Sequence, residues 1–489
     1  MSSSTIDHMQ QMALHALDLA AQRGVQYADV RLVEARSQDL ATRNGRAAQV
    51  ADTDSLGMGI RILLDGGWGF AATDDLSAAG IEKAISKARA IAKASAITVR
   101  STVRLAEEPV HKAVWTSPCR IDPLAMPVTQ KFDHLLRVDD ALRANKAVTL
   151  TETLFHATRT RQWFVNTDGS VIDQTRTMTG AGCACYVFRD GDLQKRSYPN
   201  SFGGQYQLKG WELVEELDML AHAGRLGEEA EALHGADACP SGQLPLILDS
   251  SQLGLQIHES IGHPIELDRV LGSEANYAGM SFLTLDQLRT LRYGSGIVHV
   301  VSDATPAHGP GLGTFAFDDE GVAAQRTDII RDGLFAGYLT SRETAGAIGD
   351  ARSNGCLRAA GWDRLPLIRM TNTSLEPGDS TLEEVFDVPH GIYMETNKSW
   401  SIDDKRYNFQ FGCEIAWEIK NGRRIRMLKN PVYSGISTQF WNACEAIANR
   451  EHWTLWGVPN CGKGQPEQVM GTGHGASPSR FGGVTVGSL

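Results

Sequence analysis

The chain has 489 residues, 42% hydrophobic and 21% charged, with a formal net charge of -11. Single cores stop growing near ~250–300 residues, so two or three domains are expected, and this composition excludes a largely disordered chain. The acidic total weighs against nucleic-acid binding, which needs a basic face.

The N-terminus, MSSSTIDHMQQMALHALDLAAQRG, carries Asp7 and Asp18 and has no basic stretch ahead of its apolar positions. It reads as an amphipathic helix bearing Met9, Leu14, Leu17 and Leu19, not as a signal peptide. No run approaches the ~20 apolar residues that span a bilayer, so no membrane association is expected. The eight cysteines form no C-x-x-C pair, which points to free thiols in a reducing cytoplasm. Cys183 and Cys185 fall on one face of a strand-like run and read as small buried hydrophobes.

Asn44-Gly45 and Asp65-Gly66 are hairpin signals between β-branched and apolar runs. A helix is predicted next, with Ile81, Ile85, Ala88 and Ala92 at helical spacing. The pattern then recurs. Asp168-Gly169 and Asp190-Gly191 separate a second set of strand-like runs, and GWELVEELDMLAHAGRLGEEAEALHG supplies a second helix. Two meander-plus-helix units would build one α+β domain over residues 1–235, with an internal repeat.

Pro240-Ser241-Gly242 marks a boundary, and residues 240–489 read as a β-rich second domain, a sandwich or partly closed barrel. One helix is predicted near residue 258 and a shorter one through 382–387. Asp332-Gly333 and Asn421-Gly422 are further turns between strand-like runs. The overall expectation is an α+β protein whose β-rich C-terminal domain carries the helix at residue 258.

That helix runs into the segment IHESIGHPIELD, residues 257–268. In H-E-x-x-H, two histidines four apart share a helical face beside a glutamate that serves as general base. Here the position four after His258 is Gly262, and the second histidine, His263, arrives one residue late. Five residues turn a regular α-helix through a net angle of roughly 140°, too far for two imidazoles to share an ion. Distortion at Gly262, with Pro264 disfavouring α conformation at His263, would repair this. A π-type widening would do so as well. Asp249 or Ser250 is the predicted N-cap, with the helix ending at His263. Glu259 is turned away from direct ligation but can take a proton from water that a zinc ion activates. Glu266 and Asp268 are placed to orient the imidazoles.

A catalytic zinc needs a third protein donor, and Cys461 and His474 are candidates, both in glycine-rich stretches that read as turns. Gly457 to Lys463 fits G-x4-G-K, but Gly464 stands where a P-loop needs Ser or Thr, and no strand-to-helix context supports one. No G-x-S-x-G occurs, and Ser260 reads as a packing residue within the helix.

HESIGHPIELDRVLG, DDEGVAAQRTDIIRDGLFAGYL, RMTNTSLEPGD, NCGKGQP and the closing FGGVTVG together resemble the TldD/PmbA metalloproteases. The resemblance spans most of the chain and implies one zinc held by His258, His263 and Cys461, with Glu259 as general base. The resemblance leaves the role of His474 open, a place behind the ligands beside Glu266 and Asp268 being one of those it allows. Because the histidines are present, the chain resembles the metal-bearing TldD type. The resemblance further implies a homodimer, or a heterodimer with a related metal-free TldE/PmbA-type subunit, enclosing a chamber that admits unfolded peptide. Two other readings stand beside this one: a small-molecule amide hydrolase on the same fold, and a non-catalytic peptide-binding subunit. Among metals, a thiolate donor favours zinc over iron or manganese.

Overall fold

The computed structural model describes residues 3–21, 24–99, 102–277 and 279–488. The hairpin dipeptides do what their chemistry requires. Asn44, Gly45, Asp65, Gly66, Asp190 and Gly191 all have φ between 49° and 82°, the left-handed backbone that matches the twist of two-residue hairpins. Asp332-Gly333 and Asn421-Gly422 turn the same way.

The first half runs α1 (Ser3–Ala20), β1 (Tyr27–Arg43), β2 (Arg46–Leu64), β3 (Gly67–Thr73) and α2 (Ala78–Ala96). It continues with β4 (Lys112–Thr116), α3 (Val128–Leu142), β5 (Leu150–Asn166), β6 (Val171–Arg189), β7 (Asp192–Tyr198), β8 (Gln205–Gln207), α4 (Glu212–Leu217) and α5 (Met219–Gly235). The strand lengths repeat: β1, β2 and β3 have 17, 19 and 7 residues, and so do β5, β6 and β7. The two meanders join through β1 and β5, antiparallel from Asp29 opposite Asn166 to Arg43 opposite Glu152. The result is one sheet in the order β3-β2-β1-β5-β6-β4, with β7 and β8 also on β6.

Alternation along the strands gives this sheet two distinct faces. Val30, Leu32 and Trp163 pack with the buried positions of α1 and α2. Leu40, Phe155, Cys183 and Cys185 pack with α3 and α5. The intervening residues look the other way, onto the C-terminal half. There the Arg31 side chain donates to the Gly361 and Arg364 carbonyls, Gln162 to Asp319 and Gln174 to the Phe317 carbonyl.

The C-terminal half is a barrel rather than a sandwich. Gly242–Leu248, His390–Ile402, Asn408–Lys420, Pro431–Ile436 and Ser479–Ser488 pair successively, and the last returns to the first with Leu246 opposite Phe481. Closure joins these five strands in a ring, and Arg423–Lys429 and Asp237–Ala238 extend the sheet outward from Asn408–Lys420. Its residues Leu246, Ile392, Phe409, Phe411, Tyr433 and Phe481 belong to the largest core, which also takes up α6 (Ser250–Ile257). The predicted short helix is present as Leu382–Phe386, while the turns Leu267–Val270 and Ser437–Asn442 are helical without having been expected.

Candidate metal centre

Helix α6 begins at Asp249, whose carboxylate accepts from the amides of Ser251 and Gln252 at 2.7 and 3.2 Å. Every residue of α6 is buried, so its polar side chains need partners. Gln252 donates to the Tyr433 hydroxyl at 2.8 Å, which in turn donates to Gln256 at 3.0 Å. Gln256 and the Trp441 indole both donate to the Ser260 hydroxyl. This stripe holds the helix axis and its rotation inside the core.

Beyond α6 the chain makes a π turn over His258–Gly262, and the His263 amide donates to the His258 carbonyl at 3.1 Å. A turn closed by i→i+5 bonding brings residues five apart onto one face. The His258 and His263 ring centroids stand 4.8 Å apart. Of the two expected routes, the structure takes the widened turn. The other expectation is corrected: His263 stays α-helical at φ -68° and ψ -41° despite Pro264. Gly262 answers to packing, since a Cβ there would lie 2.0 Å from the Met370 sulfur.

Cys461 and His474 are also placed differently from expectation. Both sit on strands of one hairpin, Thr454–Lys463 paired with Gln468–Ala476, and not in turns. Cys461 lies opposite Met470 and His474 opposite Trp456, with a bulge between Val458 and Cys461. Pro459, which has no amide proton to give a ladder, falls in that bulge.

His258, His263 and Cys461 come together, with their donor atoms all within 4.8 Å of one another and all three residues buried. Cys461 Sγ is 3.8 Å from His263 Nε2. The surrounding hydrogen bonds set the tautomers. His474 Nδ1 donates to the Thr373 carbonyl at 2.9 Å, which leaves its Nε2 as an acceptor 2.7 Å from His258 Nδ1. The Thr472 hydroxyl also lies 3.0 Å from that Nε2. His258 Nδ1 therefore carries its proton and Nε2 its lone pair. His263 reaches the same state by donating from Nδ1 to Glu266 Oε2 at 3.1 Å.

Charge completes the donor set. Burial pushes His258 down to about 4 and takes His263 and His474 well below the usual imidazole value, so all three are neutral at pH 7. Burial raises the other seven cysteines. It acts on Cys461 too, but the groups around that thiol, the Arg369 guanidinium among them, outweigh it, and the thiol ends below its ordinary value. Two neutral imidazole nitrogens and an easily ionised thiol are donors that zinc takes, and tetrahedral ligation would set such atoms roughly 3.5 Å apart. The arrangement fits a zinc ion.

Glu259 is buried and its Oε2 is held by Arg406 Nη1 at 2.5 Å. Glu266 sits between His263 and Arg269. Asp268 reaches no imidazole; it accepts from Lys463 at 2.7 Å, and that buried lysine also faces Glu266 at 3.5 Å. Sequence reasoning missed Arg406, 147 residues from its partner, and no spacing signal could have found it. Lys463 was visible in NCGKGQP, and its buried ion pairs explain a lysine that a P-loop did not.

Residues 241–488 match the family model described as PmbA/TldA metallopeptidase C-terminal domain. The chain belongs to the PmbA/TldD metallopeptidase family. Residues 28–92 and 121–233 match its domain 1 and its central domain. A metalloprotease of Methanocaldococcus jannaschii is 29% identical, the match covering 92% of this chain and 95% of that protein. A metalloprotease TldD homolog of Haemophilus influenzae is 23% identical over 98% and 96%. A zinc metalloprotease TldD homolog of Saccharolobus solfataricus is 29% identical over 42% of this chain and 44% of that one. In fold, the chain is similar to TldE from Thermococcus kodakarensis, with TM-score 0.75, 13% identity and coverage of 98% and 99%. It is also similar to a Thermotoga maritima protein described as a modulator of a DNA gyrase, with TM-score 0.77, 18% identity and the same coverage. No helix among the described residues is long and apolar enough to cross a membrane.

Proposed function

We propose that this chain is a zinc-dependent peptidase of the metal-bearing TldD type, hydrolysing unfolded or extended peptides. The observation that carries the reading is the convergence of His258, His263 and Cys461, each ring with its Nδ1 proton committed elsewhere. These three residues would hold one zinc per chain. When bound, zinc supplies a Lewis acid that polarises a peptide carbonyl and makes water nucleophilic near neutral pH.

Glu259 is the general base. Arg406 fixes one carboxylate oxygen, and the other takes the proton of the attacking water and passes it to the leaving amine. His474 keeps His258 in the Nδ1–H form, and Glu266 does the same for His263. Lys463 and Arg269 anchor Glu266 in turn. Burial of the whole group keeps bulk water from competing with the peptide.

An extended substrate is taken as an added strand. The protein works in the cytoplasm, where its eight free cysteines stay reduced. It acts as a dimer, with a second copy or with a metal-free subunit of the TldE type, whose known fold is closely similar.

The test is metal analysis of the native protein beside His263→Ala and Cys461→Ser, with peptide hydrolysis measured for Glu259→Ala. The reading requires near one zinc per chain in the native protein, much less in the two ligand variants, and full zinc without hydrolysis in Glu259→Ala. Hydrolysis by Glu259→Ala at the parent rate would remove the assigned base.

A further inference from the structure

We propose that Arg176 anchors a carboxylate of the peptide substrate in the cleft between the N-terminal sheet and the C-terminal half; this deepens, and rests on, the peptidase reading. The cleft encloses about 410 Å³ and is lined by Thr160 and Arg176 on one side and by Arg358, Trp362, Pro459 and Met470 on the other. Arg176 projects from the helix-free face of the sheet, directly opposite Thr160 in the β5–β6 register. Met470 lies opposite Cys461, and Pro459 is in the adjoining bulge. The cleft therefore reaches the hairpin that supplies the third metal donor.

Its charge is unbalanced. Arg176 is partly buried, yet its side chain makes no hydrogen bond or ion pair with any described residue. The acids nearby are committed elsewhere. Asp319 accepts from the Gln162 side chain and the Ala359 amide and pairs with Arg31. Asp363, on the rim, pairs with Arg364 at 2.5 Å. Arg358 adds a second guanidinium, whose Nη1 and Nη2 serve the carbonyls of Met370, Leu312 and Gly471 and no carboxylate, while its buried Nε has no partner among the described residues. Burial and then repulsion from Arg176 and Arg369 bring Arg358 down to about 9.

A guanidinium partly shielded from water, whose nearest attracting carboxylate, Asp319, is already bonded to other groups, gains from any further anion that reaches it. A carboxylate is the match, because it accepts two parallel bonds from the planar guanidinium fork. On a peptide that carboxylate is either the C-terminus or an Asp or Glu side chain.

The experiment measures fluorescence anisotropy of labelled unfolded peptides on zinc-loaded Glu259→Gln protein, alone and with Arg176→Gln or Arg176→Lys added. The peptides are a glutamate-containing free acid, its C-terminal amide, its Glu→Gln analogue, and the peptide with both changes. Charge-assisted hydrogen bonds imply about ten-fold tighter binding of the carboxylate peptide than of the doubly neutral one. Arg176→Gln should abolish that difference, and Arg176→Lys should keep part of it, with zinc content and melting temperature unchanged. Loss of affinity with the amide assigns the C-terminus, and loss with the Gln analogue assigns the side chain. Equal binding of all four peptides, undiminished discrimination in Arg176→Gln, or no binding of any carboxylate peptide would overturn the anchor. Hydrolysis is scored separately on protein that retains Glu259, so a failed peptidase reading shows as absent cleavage whatever the anisotropy reports.

Discussion

The amide of His263 donates to the carbonyl of His258 five residues back, at 3.1 Å, and the two rings stand edge to face with centroids 4.8 Å apart. One widened turn thus gives a five-residue spacing the convergence that four residues give in a regular helix. The turn is tightly enclosed, because Gly262 lies against the fully buried Met370.

Replacing Gly262 with alanine should therefore destabilise the protein by about 1–3 kcal/mol through overpacking. Chemical denaturation reads this directly. An unchanged midpoint would mean that Met370 yields without resistance.

His474 touches His258 at 2.7 Å and is itself fixed by the Thr373 carbonyl. His474→Ala should weaken zinc binding about 10–100-fold, the usual cost of losing a partner that orients a ligating histidine. His474→Gln, whose amide oxygen can accept from His258 Nδ1, should lose less. Competition against a chelator of known affinity measures both, and equal losses would argue for a packing effect alone.

In chelator-treated protein the buried imidazoles should make stability pH-dependent. His258 is held near 4 when folded and returns to about 6.5 when unfolded. The unfolded chain then binds more protons between those values, so stability is full above about pH 6.5 and falls as pH drops toward 4. His258 alone contributes roughly 3 kcal/mol over that window, and His263 and His474 act in the same direction. Melting temperatures from pH 7.5 to 4.5 check it; a flat profile would show that the imidazoles are not buried neutral.

The two halves are also clamped by one buried arginine. Arg196 on β7 binds Glu229 of α5 at 2.8 Å and, across the interface, Glu395 at 3.1 Å and Glu414 at 3.2 Å. Arg196→Met would leave buried carboxylates without their cation and should cost about 3–5 kcal/mol. Urea titration measures the loss. A shift below 1 kcal/mol would mean that water or neighbouring groups replace the guanidinium.

The hairpins in the first half were legible because hairpin dipeptides are local: the turns at Asn44-Gly45 and Asp190-Gly191 need only their own backbone preferences. The lateral joining of β1 to β5 was not, since either meander could pair through several edges and only the buried faces choose. Pro264 shows the same limit at short range. Its local bias against helix at His263 was overridden by the core around α6.

By itself the sequence determined the α+β class, the hairpins, the helix bearing His258, and the residue types able to bind a metal. These follow from dihedral preference, periodicity and side-chain chemistry within a few residues. Only the tertiary structure decided that Cys461 meets His263, that His474 sets the His258 tautomer 216 residues away, and that Arg406 holds Glu259. Those contacts depend on which strand faces pack together and on the closure of the barrel, which are cooperative outcomes of burying the whole core and leave no trace in local spacing.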